Sequence, residues 1–156
     1  MDRAWHDNHL PGNNMSFRVC FPEDLIAGGI GDASVDVVYV NSVINLFYSR
    51  EKSLAEMFRV LKPGGLLICQ TVVADKERDP EIVKEAIGIG NAIQAAPERT
   101  SFQELLAALG FTSMKASEAL PVRVSTGFKY DQTAPTVQSE ENVNFFEVTY
   151  NLHRPR

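Results

Sequence analysis

Cysteine is nearly absent from this sequence. Cys20 and Cys69 are the only two, so at most one disulfide can form, and no CxxC pair offers a zinc or redox motif. A reducing, cytoplasmic setting is the default expectation. Long apolar runs are missing as well: no stretch approaches the ~18 to 20 unbroken apolar residues of a membrane-spanning helix. The opening residues Met1-Asp2-Arg3-Ala4-Trp5-His6 have no basic region followed by an apolar run, so no secretory leader is expected. Positive charge is scarce, with 15 Lys and Arg against 20 Asp and Glu and a formal charge of −5. Phosphate binding draws on clustered basic residues, and here they are scattered, which sets nucleic acid aside as a partner. There is no internal repeat, no low-complexity tract and no Gly-x-Ser-x-Gly elbow around a nucleophilic serine. His6 and His9, beside Asp7, have an i, i+3 spacing that places two ligands on one helix face. A metal needs a third ligand, His153 is remote in sequence, and a solvated helix surface is the simpler reading.

What remains is an ordinary soluble composition. The chain has 156 residues, 44% apolar and 22% charged, which is enough for one core and one domain spanning residues 1–156. A short helix over residues 1–10 ends at Pro11-Gly12-Asn13-Asn14. In Ser16-Phe17-Arg18-Val19-Cys20-Phe21 the apolar positions alternate, the two-residue period of a strand. After a helical turn at residues 23–27 and the loop Gly28-Gly29-Ile30-Gly31-Asp32, residues 35–40 are β-branched and almost wholly apolar, the pattern of a covered parallel strand. Residues 50–61 read as an amphipathic helix, with Leu54, Met57, Phe58 and Leu61 on one face and Ser49 as N-cap. Lys62-Pro63-Gly64-Gly65 stops it.

A second buried strand covers residues 66–73. Pro80 opens another helix that reaches to residue 96, weakened by Gly88 and Gly90. Ser101 with Glu104 forms a capping box for a helix over residues 102–109, ended by Gly110. The remainder turns to strands at 112–117, 122–128 and 144–152, with a polar loop at 131–142 between the last two. Alternating strands and helices predict an α/β fold with a parallel sheet, an antiparallel finish at its C-terminal edge and helices on both faces.

Three segments together resemble the class I S-adenosylmethionine-dependent methyltransferases. Asp32-Ala33-Ser34-Val35-Asp36-Val37-Val38-Tyr39-Val40-Asn41 is similar to the family's fourth strand with its preceding acidic turn. Phe58-Arg59-Val60-Leu61-Lys62-Pro63-Gly64-Gly65-Leu66-Leu67 resembles its helix, turn and fifth strand. Phe102-Gln103-Glu104-Leu105-Leu106-Ala107-Ala108-Leu109-Gly110-Phe111 is similar to its late helix. Within that superfamily, Asn41-Ser42-Val43-Ile44-Asn45-Leu46 and Asn144-Phe145-Phe146-Glu147-Val148-Thr149-Tyr150 are most similar to the arsenite methyltransferase branch. That branch places thiols where Ser42 stands and near Ala92. Soft trivalent arsenic is held by soft sulfur, which a hydroxyl or a methyl group cannot replace. Cys20 and Cys69 fall on predicted strands and read as small buried apolar side chains.

The resemblance implies a Rossmann-like sheet, truncated at its N-terminus, and S-adenosylmethionine as the cofactor. In such a sheet the cofactor rests on a glycine turn that follows a strand and opens a helix, with an acid at the end of the next strand. The resemblance aligns residues 1–10 with the helix after the second strand, so that turn and that acid are expected to be missing. Gly29-Ile30-Gly31 precedes a strand and Gly88-Ile89-Gly90 lies in or beside a helix, so neither has the cradle's context. Asp24 matches the family's adenine-side acid and equally suits a cap of its own turn. Asn41 and Ser42, with Tyr39, stand at the carboxyl end of a parallel strand, where ligands bind in open α/β sheets; Tyr39 is as readily a core residue.

The expected function is a methyltransferase-like domain not competent alone, acting as a pseudoenzyme or as an assembly or binding module. The alternative is a small-molecule methyltransferase completed by a partner chain or cut from a longer enzyme, with Asp24, Asn41 and Ser42 lining its pocket. A sheet without its first strands leaves residues 35–40 as an open apolar edge. Either residues 17–21 move in beside it, or a second chain does, giving a homodimer or a complex with another protein.

Overall fold

A computed structural model describes residues 15–122 and 142–156. Its sheet begins with β1 (Val35–Asn41), which leads through a 3-10 turn (Ile44–Leu46) into α1 (Arg50–Val60). Next come β2 (Leu61–Ala74), α2 (Pro80–Gly88), α3 (Arg99–Ala108), β3 (Thr112–Ala116), β4 (Leu120–Val122) and β5 (Phe145–His153). The strands lie in the order β1-β2-β5-β3, with β4 also paired to β5. β1 runs parallel to β2, and β2, β3 and β4 each run antiparallel to β5. The expected parallel start and antiparallel finish are both present.

The Ser49 hydroxyl accepts the Lys52 amide at 3.3 Å and so caps α1 as anticipated. The helix stops at Val60 because Pro63 cannot continue it. At the following turn, Gly65 is obligatory. A Cβ there would stand 2.8 Å from the Lys62 carbonyl and 3.1 Å from that of Asp36 on the neighbouring strand. Arg154 closes the same helix end, with Nη1 donating to the carbonyls of Phe58, Arg59 and Leu61 at 3.3, 2.9 and 2.6 Å. The Phe58 and Arg59 carbonyls belong to the last turn, where intrahelical donors run out, and that of Arg59 also takes the Ala33 amide at 3.0 Å.

One sheet face carries the core. Leu67, Cys69 and Val73 of β2, Val148, Tyr150 and Leu152 of β5, and Val40 of β1 pack with Leu54 and Met57 of α1 and Phe102 and Leu106 of α3. Phe58 and Phe111 meet edge to face, with centroids 5.0 Å apart, and Gly110 at φ +94° provides the turn that brings Phe111 there. Because side chains alternate along a strand, the opposite face presents Val37, Tyr39, Leu66, Ile68, Gln70 and Val72. Val37 and Tyr39 are 51% and 60% exposed.

Four expectations are corrected or narrowed. The alternation at residues 16–21 does not become a strand: among the described residues the segment has no ladder partner, and Phe17, Val19 and Phe21 are exposed. The helix opened by Pro80 stops at Gly88 rather than reaching residue 96, with Gly90 at φ +74° in the turn that ends it. The next helix begins at Arg99, capped by Glu98 rather than by Ser101: the Glu98 carboxylate accepts the Thr100 and Ser101 amides at 2.7 Å each. Strand β2 begins at Leu61, five residues before the predicted start. Residues 1–14 and 123–141 lie outside the described set. The predicted N-terminal helix with His6 and His9, and most of the predicted strand at 122–128, therefore fall there.

Candidate functional site

The carboxyl end of β1 lies beside β2, with Asn41 level with Gln70, four residues before β2 ends at Ala74. Ser42 turns the chain out of β1 at φ +59°, a left-handed conformation that costs a non-glycine residue energy. Its amide donates to the Gln70 carbonyl at 2.8 Å, and its hydroxyl donates to the Asn41 side-chain oxygen at 2.8 Å. Asn41 and Ser42 are thus one exposed polar unit at the strand terminus. Gln70 Nε2 in turn donates to the Glu147 carboxylate on β5, which continues the polar row across the sheet end.

Asp24 is not hydrogen-bonded to that unit. Its carboxylate accepts the Ala27 amide at 3.0 Å and caps its own turn. That turn is fastened to α1 by its neighbours: Glu23 accepts the Ser49 amide at 3.0 Å, and the Leu25 amide donates to Glu56 at 2.8 Å. Glu56 also receives Arg59 at 2.6 and 2.8 Å, and the Arg59 guanidinium holds its carboxyl below the usual range.

Behind the strand ends lies a polar group that the sequence reading did not single out. Asn45 is 1% exposed. Its Nδ2 donates to the carbonyls of Val72 at 2.8 Å and Ala92 at 3.0 Å, while its Oδ1 accepts the Thr71 hydroxyl at 3.1 Å. Arg50 Nη2 donates to the Ala95 carbonyl at 3.1 Å. Arg78 donates to the Ala96 carbonyl at 3.0 Å and Gln94 Oε1 at 3.3 Å, and its guanidinium sits 4.9 Å over the Phe145 ring. These three side chains hold the non-helical segment 92–96 against the end of β2. A lone amide inside the apolar run Val43-Ile44-Asn45-Leu46-Phe47 was the available signal for Asn45. Nothing local marks Arg50 or Arg78, because the carbonyls they serve lie 45 and 18 residues further along the chain. The buried Arg50 Nε and the Tyr150 hydroxyl make no well-formed hydrogen bond, although Gln103 and Arg99 stand near the phenol.

The thiols lie elsewhere. Cys69 is fully buried in the middle of β2, and burial pushes its pKa up to about 12. Cys20 is partly buried, its Sγ 2.6 Å from where a Gly28 side chain would begin. Among the described residues no three His, Cys, Asp or Glu side chains form a group that could hold a metal, and no helix is long and apolar enough to cross a membrane.

S-adenosylmethionine is the cofactor that the resemblance implies, and Asn41 and Ser42 offer polar groups at the end of β1. Among the described residues, however, no glycine lies between the end of a strand and the start of the helix that follows it. Gly29 and Gly31 precede β1, and side chains added at either would meet only open space. The described residues do not make the cradle.

A protein-family model described as a methyltransferase domain matches residues 1–69. The arsenite methyltransferase of Aquipseudomonas alcaligenes is 29% identical over 150 residues, 96% of this chain and 41% of that protein. The human arsenite methyltransferase is 32% identical over 99 residues, 64% of this chain and 26% of that protein. An arsenic(III) S-adenosylmethionine methyltransferase from Chlamydomonas reinhardtii superposes with a TM-score of 0.80 at 27% identity, covering 97% of this chain and 49% of that one. The fold alone is shared with the CurJ carbon methyltransferase, at a TM-score of 0.58 and 12% identity over 99% of this chain and 38% of that one. The chain has a methyltransferase Rossmann-like fold and is similar in sequence to S-adenosylmethionine-dependent methyltransferases of the arsenite type. It spans less than half the length of the curated relatives it matches.

Proposed function

We propose that this polypeptide is a methyltransferase-like binding or assembly module that does not hold S-adenosylmethionine productively by itself. One observation carries the reading: among the described residues no glycine lies in a strand-to-helix turn, the place that lets a cofactor approach the backbone. Asn41 and Ser42 at the end of β1 remain suited to a small polar ligand, and Asp24 to its rim. The chain's two cysteines are both free, which fits a reducing, cytoplasmic home.

Arsenite, on which the relatives act by name, is not the ligand we propose. Its recognition requires thiolates, and a thiol held at about 12 inside the core does not ionise near neutral pH. Ser42 and Asn41 offer oxygen in place of sulfur. A second reading is favoured by the length of the relatives: residues outside this chain, from the same protein or another, complete the cofactor site, and Asp24, Asn41 and Ser42 then line it.

Calorimetric titration of the 156-residue chain with S-adenosylmethionine and S-adenosylhomocysteine separates the two. No heat at about 1 mM ligand, a binding free energy weaker than roughly −4 kcal/mol, is the expected result. Binding at tens of micromolar would overturn it.

A further inference from the structure

We infer that residues 22–34 form a strap that docks along α1 and opens as one unit while the sheet stays folded, with the Glu56–Arg59 pair as its clasp. The inference needs no cofactor and goes beyond the reading above.

The contacts between strap and helix climb α1 in chain order. At the start of the helix the Glu23 carboxylate accepts the Ser49 amide at 3.0 Å. Two turns on, Glu56 accepts the Leu25 amide at 2.8 Å. At the helix end, Arg59 Nη2 donates to the Ile30 carbonyl at 3.1 Å, and Nη1 donates to the Asp32 carboxylate. The Ala33 amide donates to the Arg59 carbonyl at 3.0 Å and the Ser34 amide to the Val60 carbonyl at 2.8 Å. Glu56 and Arg59 are bonded to each other at 2.6 and 2.8 Å. One side-chain couple thus takes a strap amide with its anion and a strap carbonyl and carboxylate with its cation. Such charge-assisted bonds are stronger than neutral ones, which makes this couple the main fastening.

Between these points the strap is tied to itself. The Asp24 amide donates to the Phe21 carbonyl at 3.0 Å, the Ala27 amide to the Asp24 carboxylate at 3.0 Å, and the Gly29 and Ile30 amides to the carbonyls of Ile26 and Leu25 at 2.8 and 3.0 Å. The Ser34 hydroxyl donates to the Gly31 carbonyl at 2.7 Å. None of these bonds involves α1, so they hold the segment together as a body whose link to the helix is made and broken as a whole.

The sheet and the strap are held by different forces. β1, β2 and β5 share an apolar core with α1 and α3, to which residues 22–34 contribute no side chain among the described residues. A segment fastened by a few hydrogen bonds opens at a lower free energy than the core it rests on. Ala33 pushes the same way. Its φ of +48° is a left-handed conformation that is costly for a residue with a Cβ; the bond of its amide to Arg59 sustains that conformation, and undocking relieves it. Docking also decides where Asp24 stands, because it lies between the anchored residues Glu23 and Leu25. For any ligand that uses Asp24, only the docked strap is competent, and apparent affinity scales with the docked fraction.

Hydrogen exchange, followed amide by amide on the unmodified 156-residue chain, tests this without any variant. The Leu25, Ala33 and Ser49 amides, distant in sequence and joined only through docking, are expected to share one opening equilibrium and to exchange well before the amides in the middle of β2. Arg59→Met and Glu56→Ala should each speed exchange of the Ser49 amide by roughly tenfold, the scale of losing a hydrogen bond to a charged group, and leave the β2 amides unchanged. Neither replaced side chain bonds Ser49, so a purely local effect does not reach it. Lys62→Met, which breaks the exposed Asp36–Lys62 pair, should leave all three amides as they were. Unrelated rates for the three amides, or rates equal to those of β2, overturn the inference. So does a Ser49 amide that both clasp variants leave unmoved, a β2 that they loosen equally, or a strap that Lys62→Met releases as well.

Discussion

The Asn45 side chain joins the carbonyl of Val72, inside β2, to that of Ala92, on the loop that follows α2, at 2.8 and 3.0 Å. An amide is the only uncharged side chain that can donate twice and still accept the Thr71 hydroxyl.

Replacing Asn45 by Ala removes the side-chain donor to the Val72 and Ala92 carbonyls and the better acceptor of the Thr71 hydroxyl, which keeps only the longer contact to Val72 at 3.4 Å. Asn45→Ala should therefore lose roughly 2 to 3 kcal/mol of stability. Asn45→Asp keeps the acceptor but loses the donors and should be no better. Urea unfolding checks this: the midpoint falls while the slope stays the same.

Glu98 caps α3 and carries a pH signature. Two backbone amides hold its carboxyl at about 2, below the ordinary 4.5. A carboxyl with a depressed folded pKa adds stability that is present above about 4.5 and lost as the pH falls toward 2. Glu98→Ala should cost about 1 kcal/mol at neutral pH, the usual worth of a cap. The difference in melting temperature between Glu98→Ala and the unmodified chain should shrink through that acid window. A gap that persists at pH 2 would mean that packing, not capping, is lost.

The two cysteines should report on different events. Cys69 is fully buried and its thiol is pushed up to about 12, so a thiol reagent reaches it only when the sheet opens. Cys20 is partly exposed. Titration of the native chain should give one thiol promptly and the second at the rate of unfolding, and the Cys20→Ser variant should retain only the slow phase.

Much of the architecture was legible because it is written in local pattern. The apolar run of β1, the helical spacing of Leu54, Met57 and Phe58, and the Pro63-Gly64-Gly65 stop each act within a few residues. Residues 16–21 misled because alternation describes a strand's two faces and says nothing about whether a neighbour exists to pair with it. Glu98 was passed over as a cap in favour of Ser101, which has the more familiar signature; the longer carboxylate reaches two amides at once.

Asn41 and Ser42 were expected at the end of a parallel strand, and they stand there, hydrogen-bonded to each other. Asp24 was legible as a cap, and the structure gives it no hydrogen bond to the other two. Arg50 and Arg78 were invisible, since the carbonyls they serve come from segments that only the tertiary fold brings near.

The placement of β5 bears on how the chain comes to be folded. Among the described residues it is the last strand in sequence, yet it lies between β2 and β3, and β3 and β4 both pair with it. Among the described residues, neither of those short strands has a ladder partner until residues 145–153 arrive, and β2 has only β1. Contacts between positions so far apart in sequence form slowly, because the loop must close before any pairing rewards it. Until then the apolar β2 stands with one side unpaired, which makes the interval before β5 docks the moment of greatest exposure to misassociation.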